Sequence, residues 1–439
     1  MDILNVEKTV VSYCQVRVKE AVIEVSLRFG NRALNLNIPQ NHVLGVLTPN
    51  SVRPKVSPDR LVRQHLEATT VALENKKTVI VVPDKTRNCG ATVFLPILVG
   101  RLNHLGVSDE EIKIILANGS HVPNDANEVR KIVGDGIARR IKILQHDCHD
   151  ADALTFVGKT KFGTPVILNR IVLETPQVII GGTAVHHYFA GYGGGPKMIN
   201  PGCAGYETIT ANHALTIDTR TGRIHPNCRA SQVQGNPVQE DIRDSMRFVE
   251  VNLLLETVLN ERREIVDVFV GELFETHDRA CKRVDEVYQT PISEKADLVV
   301  ASCGGFPKDI NLIQAHKTIH NAFQAVKENG VLLVLAECAH GIGSATFMAW
   351  FEYADVGEQI QALTKNYKLN GTTALSLRRK CERAKIVFVS KLQDGIVRKT
   401  GMLPARDLQE GWQTVRSHLP ENFTCYLMPN GSLTLPVLI

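Results

Sequence analysis

Short runs of apolar, largely β-branched residues recur along the chain, and each ends in Gly, Pro or a polar turn. They are KTVIVVPD (77–84), EIKIILANG (111–119), QVIIGG (177–182), EIVDVFVGE (264–272), ADLVVAS (296–302), GVLLVLAE (330–337) and AKIVFVS (384–390). Runs of this length and composition read as strands buried on both faces. Helical patterns lie between many of them, such as PDRLVRQHLEATTVALEN (58–75) and LIQAHKTIHNAFQAVKEN (312–329). The alternation predicts an α/β fold with mainly parallel sheets. A chain of 439 residues exceeds one typical domain and buries a large core without covalent staples. Two α/β domains are expected, with the active site in the cleft between them. The first spans 1–275 and the second 293–411, with LFETHDRACKRVDEVYQTPIS (273–293) as an amphipathic linker helix. A second boundary is placed near 396–412, after which the tail 412–439, containing a last helix and the short strand FTCYLMPNG, can pack back on the first domain.

Composition removes several function classes. Lys and Arg number 50 against 46 Asp and Glu, a net charge of +4, and aromatics are only 5%, which argues against nucleic acid as a partner. The ten cysteines are scattered without a C-x-x-C pair, so they read as reduced thiols of a cytoplasmic protein rather than a zinc site. The first residues, MDILNVEKTVVSYCQ, show no basic leader followed by an apolar run, so no signal peptide is expected. No stretch of 18 uncharged apolar residues suggests a membrane span.

In parallel sheets, ligands gather beyond the carboxyl ends of the strands. Four loops occupy such places: PDKTRNCG (83–90), NGSHVPND (118–125), AVHHYFAGYGGGPK (184–197) and CGGFPKDINLIQAHK (303–317). The glycine-rich run ending in Lys197 is not a P-loop, because Met198 stands where a magnesium-binding Ser or Thr is required. It also lacks G-x-G-x-x-G, since Pro196 occupies the third position. Two readings stand: a solvated lysine on a turn, or a lysine presented to a ligand by closely approaching backbone. His121 and His187 both follow buried strands, and a pair of imidazoles there suits acid–base work on two faces of a substrate; either alone reads as a turn residue. His186 is not separated from His187 by sequence. His213, on a helix predicted over Tyr206–Leu215, is a helix-end histidine or a metal ligand whose partners come from a cofactor. In DKTR (84–87), Arg87 offers a planar fork for carboxylate or phosphate, while Asp84 and Thr86 suit a cap or a nucleotide contact.

Taken in order, DKTR (84–87), GSHVP (119–123), HYFAGYGGGPKMINPG (187–202), YETITANH (206–213), GNP (235–237) and GGFPKDINLIQAHK (304–317) resemble the nickel-dependent lactate racemase family. The likeness runs over nearly the whole chain, including LPARDLQE (403–410). It implies a nickel-pincer nucleotide, pyridinium-3,5-bisthiocarboxylic acid mononucleotide nickel, held covalently by Lys197 as a thioamide. It further implies His213 as the one protein ligand to nickel. Asp84, Lys85, Thr86, Arg87, Gln314 and Lys317 would bind the nucleotide, with Arg87 and Lys317 also gripping the substrate carboxylate. His121 and His187 would be the paired acid/base catalysts. The implied reaction is racemisation or epimerisation of a 2-hydroxy acid. Hydride leaves for the electron-poor pyridinium while a histidine takes the hydroxyl proton, and the planar 2-keto acid receives hydride back on its other face. Enzymes that build the cofactor are implied partners.

The chain departs from the lactate enzymes at several positions. Pro196 stands where the family often has Arg, Ile313 replaces an aromatic and Ala315 a Ser. A substrate-contacting Trp falls near Gly371–Thr373, where no aromatic exists, and Trp350 lies too early in the sequence to replace it. The expected substrate is therefore a 2-hydroxy acid larger or more polar than lactate, met by the hydroxyls of Thr372 and Thr373, with His186 and His316 adding polar capacity. Two alternatives remain: a nicotinamide-dependent 2-hydroxy-acid oxidoreductase, against which the missing glycine fingerprint weighs, and a non-catalytic ligand-binding protein.

Overall fold

The computed structural model describes residues 16–19 and 21–439; the amino-terminal stretch MDILNVEKTVVSYCQ, with Cys14, lies outside the described residues. The chain forms two compact units. One is 51–287, and the other joins the residues through Asn50 to 288–439.

The unit 51–287 is built on a six-stranded sheet in the order Ile265–Gly271, Leu253–Leu259, Gln177–Thr183, Thr78–Pro83, Ile112–Ala117, Lys142–Gln145. All neighbours pair in parallel except Ile265–Gly271, which returns antiparallel at one edge. Gln177–Thr183, Thr78–Pro83 and Leu253–Leu259 are buried along their whole length, as their near-continuous apolar character requires. The helix Ala91–His104 buries Phe94, Leu95, Leu98 and Leu102 in a core shared with Ile80, Val82, Ile114 and Leu255. Gly181 has no side chain because the Phe94 ring occupies that space: a Cβ there would lie 2.5 Å from the ring.

The other unit holds a second six-stranded sheet, parallel throughout, in the order Leu403–Ala405, Lys385–Val389, Val326–Leu335, Ala296–Ser302, Cys425–Met428, Val43–Val46. An antiparallel sheet of Val16–Lys19, Val22–Phe29 and Arg32–Pro39 packs on it. Strict alternation in VIEVSLRF gives that sheet one apolar face, and Ile23, Val25, Leu27 and Phe29 share a core with Leu298, Val300 and Leu333.

Several boundaries differ from the sequence expectation. The division at 287/288 falls within the 273–293 stretch, whose helix is Leu273–Tyr288, followed by a strand, Gln289–Ile292. The residues through Asn50 do not belong with 51–275, because Val43–Val46 pairs with Cys425–Met428. For the same reason the tail 412–439 packs in its own unit: Cys425–Met428 pairs with Ala296–Ser302, and Leu435–Leu438 with Gln289–Ile292. No boundary lies at 396–412, where Leu403–Ala405 is an edge strand of the parallel sheet. The helix expected over 58–75 ends at Ala68. Thr69, Thr70 and Val71 follow it, a β-branched run that loses side-chain freedom in a helix. The helix expected over 312–329 ends at Ala322, since Val326 is claimed by pairing with Ala296. Among the described residues no helix is long and apolar enough to cross a membrane.

Candidate active site

Three neighbouring parallel strands place the first three sequence loops side by side. Thr78–Pro83 leads into 83–90, Ile112–Ala117 into 118–125, and Gln177–Thr183 into 184–197. Hydrogen bonds tie the first loop to the second, and the second to the residues just after the third. Lys85 N–H donates to Asn124 Oδ1 (3.2 Å), and Gly119 N–H donates to the Gly202 carbonyl (3.0 Å).

Asp84 is buried at the end of its strand. Its Oδ1 accepts from Thr86 N–H (3.0 Å) and the Thr86 hydroxyl (2.6 Å), while Oδ2 lies 2.6 Å from His121 Nδ1. Burial alone would raise the Asp84 pKa, but the His121 hydrogen bond, the charges of His121 and Arg87 and the Thr86 hydroxyl together hold it below the ordinary carboxylate value. An ionised Asp84 takes the Nδ1–H of His121, so in the neutral ring Nε2 carries the lone pair. The His121 side chain is 46% exposed, so that nitrogen is within reach of a small molecule.

The next loop folds as a hairpin, Val185–His187 against Gly191–Gly193, and then a tight turn, Gly195–Met198. The hairpin separates the two adjacent histidines. His186 Nε2 bonds Asp285 Oδ1 (2.8 Å), and the same carboxylate accepts from the Tyr192 hydroxyl (2.7 Å) and Ser231. His187 instead accepts the Ala190 N–H at Nδ1 (3.2 Å), which leaves the neutral ring's proton on Nε2.

Lys197 is buried on the turn, with Nζ 5.8 Å from the centre of the Phe189 ring. Burial, reinforced by the positive charge of Arg87, pushes its pKa down to about 7. On the helix Tyr206–Ala214, His213 meets Phe189 edge to face at 5.1 Å. Burial first, then the charge of Lys197, drives the His213 pKa down to about 3, against the pull of the Ile209 carbonyl one turn back. Its Nδ1 is shut off from solvent and makes no hydrogen bond of ordinary geometry. His187 also packs edge to face on Phe189, at 4.5 Å. Phe189 is thus a shared floor for His187, Lys197 and His213. The sequence reading assigned it no role, although it stands inside the HYFAG motif.

The remaining candidates are placed differently. Arg87 is half-buried and donates to the Thr86 hydroxyl (3.1 Å). Lys85 is exposed and pairs with Glu128 (2.7 Å), away from Asp84 and His121. Gln314 and Lys317 belong to the other unit, on the helix Leu312–Ala322, where Lys317 Nζ donates to Gln314 Oε1 (2.8 Å). His316 is buried on that helix beside His320, with ring centres 6.3 Å apart. The Trp350 indole lies on Gly371, where a Cβ would come within 2.9 Å of it, and the Thr372 hydroxyl is bonded to the Tyr367 hydroxyl (2.9 Å).

Two family models match this chain: the lactate racemase N-terminal domain over residues 29–223 and the lactate racemase C-terminal domain over 292–435. The chain is 26% identical over 422 residues to a lactate racemase of Thermoanaerobacterium thermosaccharolyticum, covering 93% of this chain and 97% of the relative. It is 26% identical over 427 residues to a lactate racemase of Lactiplantibacillus plantarum, covering 93% and 99%. The solved structure of the lactate racemase apoprotein from T. thermosaccharolyticum superposes with a TM-score of 0.86 at 25% identity, covering 94% of this chain and all of that one. A Thermotoga maritima protein at 17% identity shares the fold, with a TM-score of 0.65.

The depressed Lys197 pKa has a consequence for stability. In the unfolded chain the amine regains its ordinary value of 10.5, so between about pH 7 and that value the unfolded state binds the extra proton. Stability of the protein without cofactor therefore rises with pH over this window. Relative to Lys197→Met, the wild type should gain on the order of 1 kcal/mol per pH unit between roughly pH 7.5 and 9. Denaturant titrations at matched pH values measure it, and parallel pH dependence in the two proteins would show the ammonium to be solvated.

Proposed function

Since the chain belongs to the lactate racemase family, a family of isomerases, we propose that it racemises or epimerises a 2-hydroxy acid with a covalently held nickel-pincer nucleotide. The observation that carries the proposal is the pairing, on one aromatic floor, of a buried amine of low basicity with an imidazole whose Nδ1 is buried without a hydrogen bond of ordinary geometry.

The residues present fit that cofactor. A thioamide tether needs a neutral amine, and burial makes Lys197 mostly neutral above about pH 7. A metal ligand must be an unprotonated imidazole, and His213 is unprotonated at any ordinary pH. Among the described residues no three His, Cys, Asp or Glu side chains converge to hold a metal by themselves, so a single histidine completing a cofactor's own donor set agrees with what is present. When bound, the group supplies a reversible acceptor for the hydride on the substrate α-carbon. Asp84, Thr86 and Arg87 would contribute carboxylate, hydroxyl and guanidinium to nucleotide binding, and Arg87 would also grip the substrate carboxylate. Gln314 is assigned to the nucleotide. Lys85, engaged with Glu128, is assigned a peripheral nucleotide contact.

The proton steps belong to the chain's histidines, and their resting hydrogen bonds are complementary. His121, with Asp84 on Nδ1, has an Nε2 lone pair and removes the hydroxyl proton of one enantiomer. His187, with Nδ1 occupied by the Ala190 N–H, carries its proton on Nε2 and delivers it to the carbonyl oxygen from the other side. The reverse reaction exchanges the two roles.

Holo protein from its native host should carry a mass adduct on Lys197 and about one nickel per chain. Peptide mapping and metal analysis of active protein are the measurements. Unmodified Lys197 would remove the tether, and nickel-free active enzyme would remove the metal.

His121→Ala and His187→Ala should each lower kcat/KM by roughly 10²-fold or more, the usual scale for a lost acid/base group. The equilibrium constant fixes the ratio of forward and reverse kcat/KM, so each loss must slow both directions equally. A variant with full activity would take that histidine out of the mechanism.

The substrate is proposed to be larger or more polar than lactate. The buried hydroxyls of Thr372 and Thr373, at the start of the helix Gly371–Arg383, with the half-buried Tyr367 hydroxyl beside Thr372, support polarity. A panel of enantiopure 2-hydroxy acids, followed by chiral chromatography, should favour a dicarboxylate or sugar acid. Lactate giving the highest kcat/KM would overturn the substrate while leaving the racemase reading intact.

A further inference from the structure

The strand Leu253–Leu259, next to the edge of its sheet, is apolar except at Glu256 and Thr257, and Glu256 sits at its centre with 0% exposure. Carboxylates are rarely buried to this degree unless their oxygens are used, and both oxygens of Glu256 are used. Oε1 accepts the N–H of Gly195 (2.7 Å), and Oε2 accepts Nδ1–H of His277 (2.7 Å), which is also at 0% exposure. One helical turn on, Cys281 Sγ lies 3.5 Å from His277 Nε2. The order Cys, His, Glu is that of a nucleophile relay, but all three are sealed from solvent. Burial, together with the negative charges of Glu256, Asp278 and Asp285, keeps the Cys281 thiol protonated.

What this array touches is the turn that carries Lys197. A Cβ on Gly194 would collide with the Glu256 carboxylate and the Thr183 carbonyl, and one on Gly195 would meet the His277 ring at 2.5 Å. The turn therefore rests directly on the two side chains, in backbone conformations with φ of +92° and +47° that only glycine adopts at little cost. The helix that supplies His277, Leu273–Tyr288, also supplies Asp285, the anchor of His186 and Tyr192. One helix thereby holds the hairpin bearing His187 at one point and the turn bearing Lys197 at another.

We propose that Glu256 is a positioning residue for Lys197: held by His277, its carboxylate receives the Gly195 N–H and fixes the turn so that the amine is buried over Phe189. The acceptor oxygen is the active element, not the charge. Glutamine at 256 supplies that oxygen and can donate its amide to His277 Nδ1. Aspartate keeps the charge but is one methylene too short to reach both partners, and leucine keeps the bulk with no acceptor. The consequence for cofactor loading rests on the tether reading above; the consequence for the turn does not.

Glu256→Gln, Glu256→Asp and Glu256→Leu are compared in two measurements. The first is hydrogen exchange of peptides covering 191–200 in the protein without cofactor, with peptides covering 78–83 as a control. The second is the fraction of Lys197 peptide bearing the adduct after reconstitution with cofactor-synthesising enzymes. The Asp and Leu variants should exchange the turn about tenfold faster or more, with the control strand unchanged, and should load Lys197 about tenfold less; Gln should restore both. Native exchange and loading in the Asp variant would overturn the proposal, and this variant decides if Leu fails to fold. Equal impairment of Gln and Asp, spread to the control strand, would make Glu256 a core residue and nothing more. If wild-type Lys197 carries no adduct, the tether reading falls and the exchange measurement alone decides the role of Glu256.

Discussion

Parallel pairing of Gln177–Thr183, Thr78–Pro83 and Ile112–Ala117 is the constraint from which the site follows. Because the strands run the same way, their carboxyl ends share one edge of the sheet, and three loops distant in sequence become neighbours there. The hydrogen bonds between them, from Gly119 to Gly202 and from Lys85 to Asn124, are then short-range contacts. Without that alignment Asp84 could not reach His121 across 37 positions of sequence.

Low solvent access does the chemical tuning. Burial converts Lys197 from a permanent cation into an amine that is neutral over much of the physiological range, and it keeps His213 unprotonated. The same burial would neutralise Asp84, yet His121, Arg87 and Thr86 hold it ionised. One region thus contains a neutral lysine, a neutral histidine and a charged aspartate. The difference among them comes from partners rather than from residue type.

Much of the fold was legible because strands buried on both faces have a near-continuous apolar signature. The runs at 77–84, 111–119, 177–182, 264–272, 296–302, 330–337 and 384–390 all became strands. Helix ends were less legible. Thr69–Val71 and Val326 continue an apolar pattern, and only sheet pairing and β-branching decide that they leave the helix. Partnership of the segments before Asn50 was not legible at all. The alternation in VIEVSLRF marks a strand with one apolar face but says nothing of which sheet covers it. Trp350 illustrates the same limit: it is far from Gly371 in sequence and in contact with it in space.

Residue types, glycine placement and motif order were set by the sequence alone: a lysine at the end of a glycine-rich turn, two histidines at strand exits, a histidine on the following helix. These are local facts, because turn geometry and helix periodicity depend on near neighbours. The tertiary structure decided which of the adjacent histidines faces Asp285 and which packs on Phe189, and that a lone glutamate in an apolar strand supports the lysine turn. Those outcomes depend on side chains brought in from the helix Leu273–Tyr288 and from neighbouring strands. Hydrogen bonding and desolvation act over a few ångströms of space, whatever the separation along the chain.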